Sequence, residues 1–547
     1  MKKIFTALSL TALAFCLMFG DAIVVAQDTL DVAPGYETLN LAIEGDTLSD
    51  GSAANPNRVY RLERGGFYLL NGTIRGIGVP LRIVAAKGDG PKPVLVSTAD
   101  EAGNSPRYFR PGVDAEWRDL YLSGIDNLGN QVEDNAFRCD KKNGKYIIDD
   151  CYVDGDAQSV VRMNAEGQKL FITNCIFANS YLLADPNNGR FVDTRGNTQD
   201  TIFIQNSTFF NSSTDPLRSG GGIIKNFFMD HCTMVMTAGN NGEFDVDRAI
   251  NCVFTNNLLF DFGYEGRSLW SVDSTGEAAV PIDSLRAPSI ATDDQRTFTI
   301  KNNVMGWSPE VKAWIQSKDS LDFYRFIDAT AEQFIATFPN MVAEDNIYED
   351  VVFSDGPERT KLLAYMEHRF NDNYANNNNP DFRLDRNGVG TLIDNPQTFG
   401  PPADDYNFDY ATTFAAYTHA MGGFPVGDLN WFPDKKAQWE TWVTNVEFGS
   451  EAHPTEFHLA QNYPNPFNPS TTIAYGLNKQ VAVTLAIYNV LGQKVRTLVN
   501  HQPQAAGSYV AKWDGRNDAG MLVPSGMYVY RLEAGDRVLA RKMLLMK

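Results

Sequence analysis

A six-residue phrase recurs through the middle of the chain: Ile148-Asp-Asp-Cys-Tyr-Val153, Ile172-Thr-Asn-Cys-Ile-Phe177, Ile204-Gln-Asn-Ser-Thr-Phe209, Met229-Asp-His-Cys-Thr-Met234, Phe254-Thr-Asn-Asn-Leu-Leu259 and Ile300-Lys-Asn-Asn-Val-Met305. Counted at the third residue (Asp150, Asn174, Asn206, His231, Asn256, Asn302), the steps are 24, 32, 25, 25 and 46. Repeats of this length indicate a solenoid, in which each unit buries its apolar face only against its neighbours. The unit reads as a strand, because a helical repeat needs longer stretches with apolar residues at i, i+3, i+4 and i+7. Asparagine suits a corner: its short amide tolerates left-handed backbone angles and can bond its own backbone. The pattern predicts an all-β chain built on a right-handed parallel β-helix. The step of 32 is expected to be one coil carrying a loop, and the step of 46 to span two coils.

Residues 1–26 read as a secretory signal peptide: Lys2 and Lys3, an apolar run from Ile4 to Gly20, then Val24-Val25-Ala26 with small residues at the cleavage site. Cys16 admits a lipoprotein reading, but Phe15 stands where that signal wants a small residue. No later segment offers the roughly 18 apolar residues of a membrane span. Removing Lys2, Lys3 and Asp21 takes the formal charge from −20 to −21. Such acidity argues against nucleic acid, whose binding rests on neutralising phosphates. It leaves room for an acidic polysaccharide held by locally concentrated positive charge.

Five cysteines then remain: 139, 151, 175, 232 and 252. Three of them share the phrase's fourth column, where stacked strands about 4.8 Å apart would form a ladder of small buried thiols. Neither Cys-x-x-Cys nor His-x-x-x-His occurs, so no metal ligands are assigned. Calcium is the one cofactor left open, with Asp149, Asp154, Asp156 and Asp193 as hard oxygen donors.

The expected organisation is a cap over 27–57 containing a short helix near Thr38–Ile43, a β-helix over 58–305, an end-cap and extension over 306–445, a linker over 446–456, and a small Ig-like β-sandwich over 457–547. The last rests on alternating runs (Val481 to Asn489, Lys494 to Val499, Ser508 to Trp513, Met527 to Leu532) separated by turn residues.

Counting back 12 or 13 residues from the corners lines up Arg138, Arg162, Asp193 and Arg218, each after an apolar position. Strand alternation points this column out of the core. The next coil is ambiguous among Asp245, Asp247 and Arg248. A second column, five before the corner, holds Lys145 and Lys169. Like charges about 4.8 Å apart repel by about 1 kcal/mol in water. A bound polyanion, Asp193 or splayed side chains would offset that.

Two resemblances add to this reading. Tyr463-Pro-Asn-Pro-Phe-Asn-Pro469, Tyr488-Asn-Val-Leu-Gly492, Trp513-Asp-Gly-Arg-Asn-Asp-Ala-Gly520, Pro524-Ser-Gly-Met-Tyr-Val-Tyr530 and Arg541-Lys-Met-Leu-Leu-Met-Lys547 resemble the C-terminal sorting domain of type IX secretion cargo and the related flagellar hook-capping module. That resemblance implies Sec export to the periplasm of a Gram-negative bacterium. Passage to the outer surface or beyond by the type IX machinery would follow. Thr38-Leu-Asn-Leu-Ala-Ile43, Val59-Tyr-Arg-Leu-Glu-Arg-Gly65 and the Asn-Cys coils are similar to the pectate-lyase-like β-helix superfamily, more narrowly its chondroitinase-B/alginate-lyase-like members. This implies a polysaccharide lyase acting by β-elimination, which needs a cation for the uronate carboxylate, a base for the C5 proton and an acid for the leaving oxygen. Lys169 or Lys145 is then the expected base, with Arg162 and Arg195 as its catalytic partners. Arg138, Arg190, Asp193 and Arg218 would bind substrate. A non-catalytic glycan-binding protein is the alternative, and a glycoside hydrolase using Asp193 with Asp245 or Asp247 is the third reading.

Overall fold

The computed structural model describes residues 28–48, 53–76, 78–132, 134–155, 158–182, 185, 188–238, 244–263, 278–285, 287, 289–318, 323–371, 379–382, 384, 406–449, 457–459, 462, 471–477, 479–489, 493–504, 507–535 and 537–545. The signal peptide, Tyr463–Pro469, Asp156 and most of the expected linker lie outside them. The chain divides into two compact units, the second made mainly of 437–547.

Two long parallel sheets, each of eleven strands among the described residues, form the first unit. The first sheet runs from Asp28–Val32 through Lys145–Asp149, Lys169–Thr173, Gln199–Gln205, Ile224–Asp230 and Asn251–Thr255 to Met341–Glu344. The second runs from Gly35–Tyr36 through Tyr152–Asp154, Ile176–Ser180, Thr208–Ser212 and Leu258–Phe262 to Ile347–Tyr348. From the coil of Ala115–Arg118 onward, each coil passes from the first sheet to the second through the recurring corner. The six corner residues all hold left-handed angles, with φ of 53, 55, 45, 50, 59 and 56° from Asp150 to Asn302. Asp119 (φ 59°) and Asp345 (φ 57°) extend the same corner to neighbouring coils.

The residue after each corner does more than fill space. The Cys151 N–H donates to Cys175 Sγ (3.4 Å), Cys175 N–H to Ser207 Oγ (3.1 Å), Cys232 N–H to Asn257 Oδ1 (3.0 Å) and Asn257 N–H to Asn303 Oδ1 (2.9 Å). Each side chain therefore satisfies an amide that the corner withdraws from the sheet ladders. All five described cysteines are buried free thiols.

Three features depart from the sequence reading. The first coil begins at Asp28, because Asp28–Val32 already pairs in parallel with Arg58–Leu62; the helix Thr38–Gly45 follows it. The step of 46 is a single coil: Phe254 pairs directly with Ile300, leaving no room for another strand, so the extra residues leave the sheets as an insertion. Arg296, fully buried, ties that insertion down by donating to the carbonyls of Ala249 (2.8 Å) and Asp283 (2.5 Å) and to Asp293 Oδ1 (2.9 Å). Finally, residues 406–436 run back along the second sheet. Asn302 Nδ2 donates to the His419 carbonyl (3.0 Å), the Gly427 N–H to the Asn256 carbonyl (2.8 Å), and Asn430 Nδ2 to the Asn206 carbonyl (2.7 Å). The outward aromatic rings of that sheet explain the path: Phe210 meets Phe408 at 5.4 Å and Phe260 meets Phe353 at 5.1 Å. Such rings bury large apolar areas and need a cover.

Within the second unit, Thr471–Leu477 pairs antiparallel with Gly507–Trp513. A four-stranded antiparallel sheet orders Lys494–Gln504, Val481–Asn489, Gly526–Ala534 and Arg537–Leu545. Ile473, Tyr475, Leu485, Ile487, Trp513, Tyr530 and Leu532 share one core between the two sheets. Leu485, Ile487, Trp513, Tyr530 and Leu532 lie on the inward side of the alternating runs read from the sequence.

Candidate functional site

A third, shorter parallel sheet completes the coils: Phe137–Cys139, Ser159–Met163, Arg190–Asp193 and Leu217–Arg218. Its register sets Arg138 beside Arg162, Arg162 beside Asp193, and Asp193 beside Arg218. Single bridges prolong this wall both ways, from Ile74 to Phe109 to Phe137, and from Leu217 to Phe244. The column one residue beyond these apolar anchors therefore reads Arg75, Arg110, Arg138, Arg162, Asp193, Arg218, Asp245. Sequence reasoning missed Arg75 and Arg110, although Ile74-Arg75 and Phe109-Arg110 repeat the Phe137-Arg138 signal. Corner Asp119 lies only nine residues after Arg110, so a count of 12 or 13 passes over it. The bridge at Phe244 also resolves the ambiguous coil in favour of Asp245.

The column is unevenly neutralised. Arg110 and Arg138 converge on Asp140, at 2.5 and 3.4 Å, and Arg195 stands 3.9 Å from Asp193. Among the described residues, Arg162, Arg190 and Arg218 make no ion pair with a carboxylate. Arg190 is 6% exposed, and its Nε, like that of Arg162, is buried without a hydrogen-bond partner. Burial pulls both guanidinium groups below their ordinary pKa. The neighbouring Arg195 adds to this at Arg162, and at Arg190 Asp215 opposes it. Cations held dry and unpaired carry a desolvation cost that only an anion or other acceptor offsets.

Carboxyls flank the column. Asp215, 7% exposed, lines up with Arg190 three positions before the column; burial pushes its pKa up to about 6, and one of its oxygens has no hydrogen-bond partner. Asp247 is likewise pushed up to about 6, first by burial and then by Asp245, with which it shares a hydrogen bond. Asp245 itself accepts the N–H groups of Ser219 (2.8 Å) and Gly220 (3.0 Å), which commits it to holding that turn. It is therefore a weaker candidate for acid–base work than its position suggests.

Lys145 and Lys169 pair with one another in the first sheet, a turn away from the arginine column. Lys169 Nζ lies 3.8 Å from Asp200, and Lys145 Nζ stands 5.7 Å from the centre of the Phe171 ring. The outward column beside them is apolar, a buried cluster of Ile147, Phe171, Phe203, Phe228 and Val253. Of the calcium candidates, Asp149 accepts from Thr173 Oγ1 (2.6 Å) and Asn174 Nδ2 (3.0 Å), and Asp154 from Asn179 Nδ2 (2.7 Å). Among the described residues no group of three or more His, Cys, Asp or Glu is placed to hold a metal.

Residues 467–537 match the FlgD Ig-like domain family. No curated protein matches the chain. Solved structures similar to part of it include dimeric latent PorU from Porphyromonas gingivalis. That alignment has 22% identity and a TM-score of 0.14, covering 17% of this chain and 9% of that one. PorZ of the same organism, described as an essential bacterial surface component of the type-IX secretion system, aligns at 17% identity and a TM-score of 0.13. It covers 18% of this chain and 13% of its own length. The chain thus spans a small fraction of these structures. No helix among the described residues is long and apolar enough to cross a membrane.

Proposed function

We propose that this is an exported solenoid that binds an acidic polysaccharide along the arginine column of its third sheet. One observation carries the reading: among the described residues Arg162, Arg190 and Arg218, on successive strands of one sheet, make no ion pair with a carboxylate, and two of their Nε groups are buried without a hydrogen-bond partner. A chain of uronates or sulfated sugars lying along the solenoid axis would present anions to successive coils, and guanidinium forks suit carboxylate and sulfate oxygens. Cleavage by β-elimination is the finer form of this reading. Binding is favoured over it because the expected lysine bases sit on another sheet, one beside Asp200 and one over Phe171.

Export and surface delivery belong to the same proposal. They are supported by the N-terminal charged-then-apolar segment and by the sorting-domain phrases. The Ig-like match within 467–537 agrees with a C-terminal address read by the type IX secretion machinery.

The test uses the chain lacking residues 1–26 with polygalacturonate, alginate and chondroitin sulfate, following binding, ultraviolet absorbance of unsaturated product, and reducing ends. Binding that weakens with salt and in Arg162→Ala, without either product signal, supports the proposal. Unsaturated product establishes the lyase form. Absence of binding to all three polyanions refutes both.

A further inference from the structure

The segment that runs back along the second sheet carries a cavity of its own. An open cavity of about 460 Å³ is lined by Val352, Ser354, Asp409, Thr412, Phe414 and Tyr417, over a floor that includes Phe353, Tyr410 and Phe432. Local packing fixes the floor. Tyr410 Oη donates to the Val426 carbonyl (2.6 Å), and the Tyr410 ring meets Phe432 edge-on at 5.0 Å. Phe408, next along the same strand (Asn407–Tyr410), packs inward against Phe353 at 5.2 Å.

Two groups in the lining are underused. Among the described residues the Asp409 carboxylate has neither an ion pair nor a hydrogen bond, and its Oδ1 is shielded from solvent without a partner. Phe414 is partly exposed, and among the described residues its one ring contact is an edge approach to Tyr410 at 6.3 Å. Tyr417 differs, since Lys435 Nζ stands 5.8 Å from its ring centre and it also packs on Phe432 at 5.9 Å. A partly exposed ring beside an unpaired carboxylate offers an apolar face for C–H groups and, at the carboxylate's other oxygen, an acceptor for a hydroxyl. The hydroxyls of Ser354 and Thr412 add donors and acceptors at the rim.

We infer that this cavity is a subsite for a neutral sugar ring, stacked on Phe414 and hydrogen-bonded through Asp409. The charge decides the ligand class: a uronate or sulfate would be set against an unpaired carboxylate, whereas a neutral pyranose or furanose supplies the hydroxyl donors that Asp409 lacks. The inference does not depend on the arginine column, which lies on another sheet.

Its test is calorimetric titration of the chain lacking residues 1–26 with neutral oligosaccharides prepared from laminarin, xylan, mannan and cellulose. At least one is expected to bind, about tenfold or more weaker in Phe414→Ala and in Asp409→Asn, and unchanged in Arg162→Ala. Thermal melting checks that each variant is folded. Asp409→Asn keeps the test decisive if Phe414→Ala is not. Binding by none of the four, or equal binding by wild type and Asp409→Asn, overturns the inference. The polyanion titrations proposed above stand or fall separately.

Discussion

Arg162 and Asp193 face each other on neighbouring strands of the third sheet, yet no hydrogen bond or ion pair joins them. Asp193 is 3% exposed and accepts the Arg195 backbone N–H through Oδ1 (2.9 Å), so its carboxylate is committed to its own turn. Arg162 reaches only weakly, at 3.4 Å each, to Asn135 Oδ1 and Gln158 Oε1. A partly buried cation left in that state is held by the fold at a cost.

The first prediction follows from that cost. Replacing Arg162 by Met should keep the chain folded and raise the melting temperature, the change being worth on the order of 1 kcal/mol, while weakening polyanion binding about tenfold. Calorimetry on the free protein and titration at two salt concentrations check both halves. A variant that loses stability and keeps its affinity would show Arg162 to be a structural partner only.

How much of this wall was legible in the sequence depends on the register signal. Where the six-residue phrase keeps its corner Asn, at Asn174 and Asn206, the corner fixes the count, and Arg162 and Asp193 fall side by side as expected. Where coils lack the phrase or carry shorter turns, as before Asp119, the count fails and Arg110 escapes. Long-range cover is harder still. Nothing local to Tyr406–Phe432 says that these residues return across the coils of Asn206 and Asn256, because the cause is the row of outward rings at Phe210 and Phe260. The step of 46 misled because a spacing near twice a coil length fits two coils as well as one coil with an insertion. The direct pairing of Phe254 with Ile300 settles the difference, and that long-range contact is not written in the spacing.

The corner makes a second prediction. Asn256 holds φ 59°, donates through Nδ2 to Asp230 Oδ1 (2.7 Å) and accepts the Met421 N–H on Oδ1 (2.9 Å). Asn256→Ala loses both bonds and forces a Cβ-bearing, non-bonding residue into the left-handed region, at about 2–4 kcal/mol. Asn256→Gly relieves the backbone while losing the same bonds, so it should melt above the alanine variant. Equal melting temperatures would mean that backbone strain at this corner is negligible.

A third concerns the returning segment. Asp428 is buried, accepts the Thr208 hydroxyl on Oδ2 (2.7 Å), and gives its own N–H to Thr233 Oγ1 (2.8 Å); Trp431 Nε1 also donates to Thr208 Oγ1 (2.7 Å). Thr208→Val removes the shared hydroxyl at almost constant volume. Limited proteolysis should then cut within 406–436 several times faster than in wild type, with the coils staying folded by circular dichroism. Cleavage at the wild-type rate would show that ring packing alone holds the segment.

The last prediction is the pH response of Asp215. Its folded pKa, raised to about 6 by burial, lies above the unfolded value near 3.8, so the folded state binds the proton more tightly. The stabilisation from this protonated carboxyl is fully present below about pH 4 and is lost as pH rises through 6, at up to about 1.4 kcal/mol per pH unit. Other carboxyls act in the opposite sense: Asp46, hydrogen-bonded by Arg58, and Asp230, held by His231, have lowered pKa values. The net curve therefore hides the effect, and the comparison must be made against Asp215→Asn. The difference in unfolding free energy, variant minus wild type, should grow in the variant's favour between pH 4 and pH 7 and level off above that. Because Arg190 faces Asp215 across the wall, a saturating polyanion on Arg190 should raise the Asp215 pKa further and move that rise to higher pH. A difference that stays flat from pH 4 to 7 would show that the Asp215 pKa is not raised by burial.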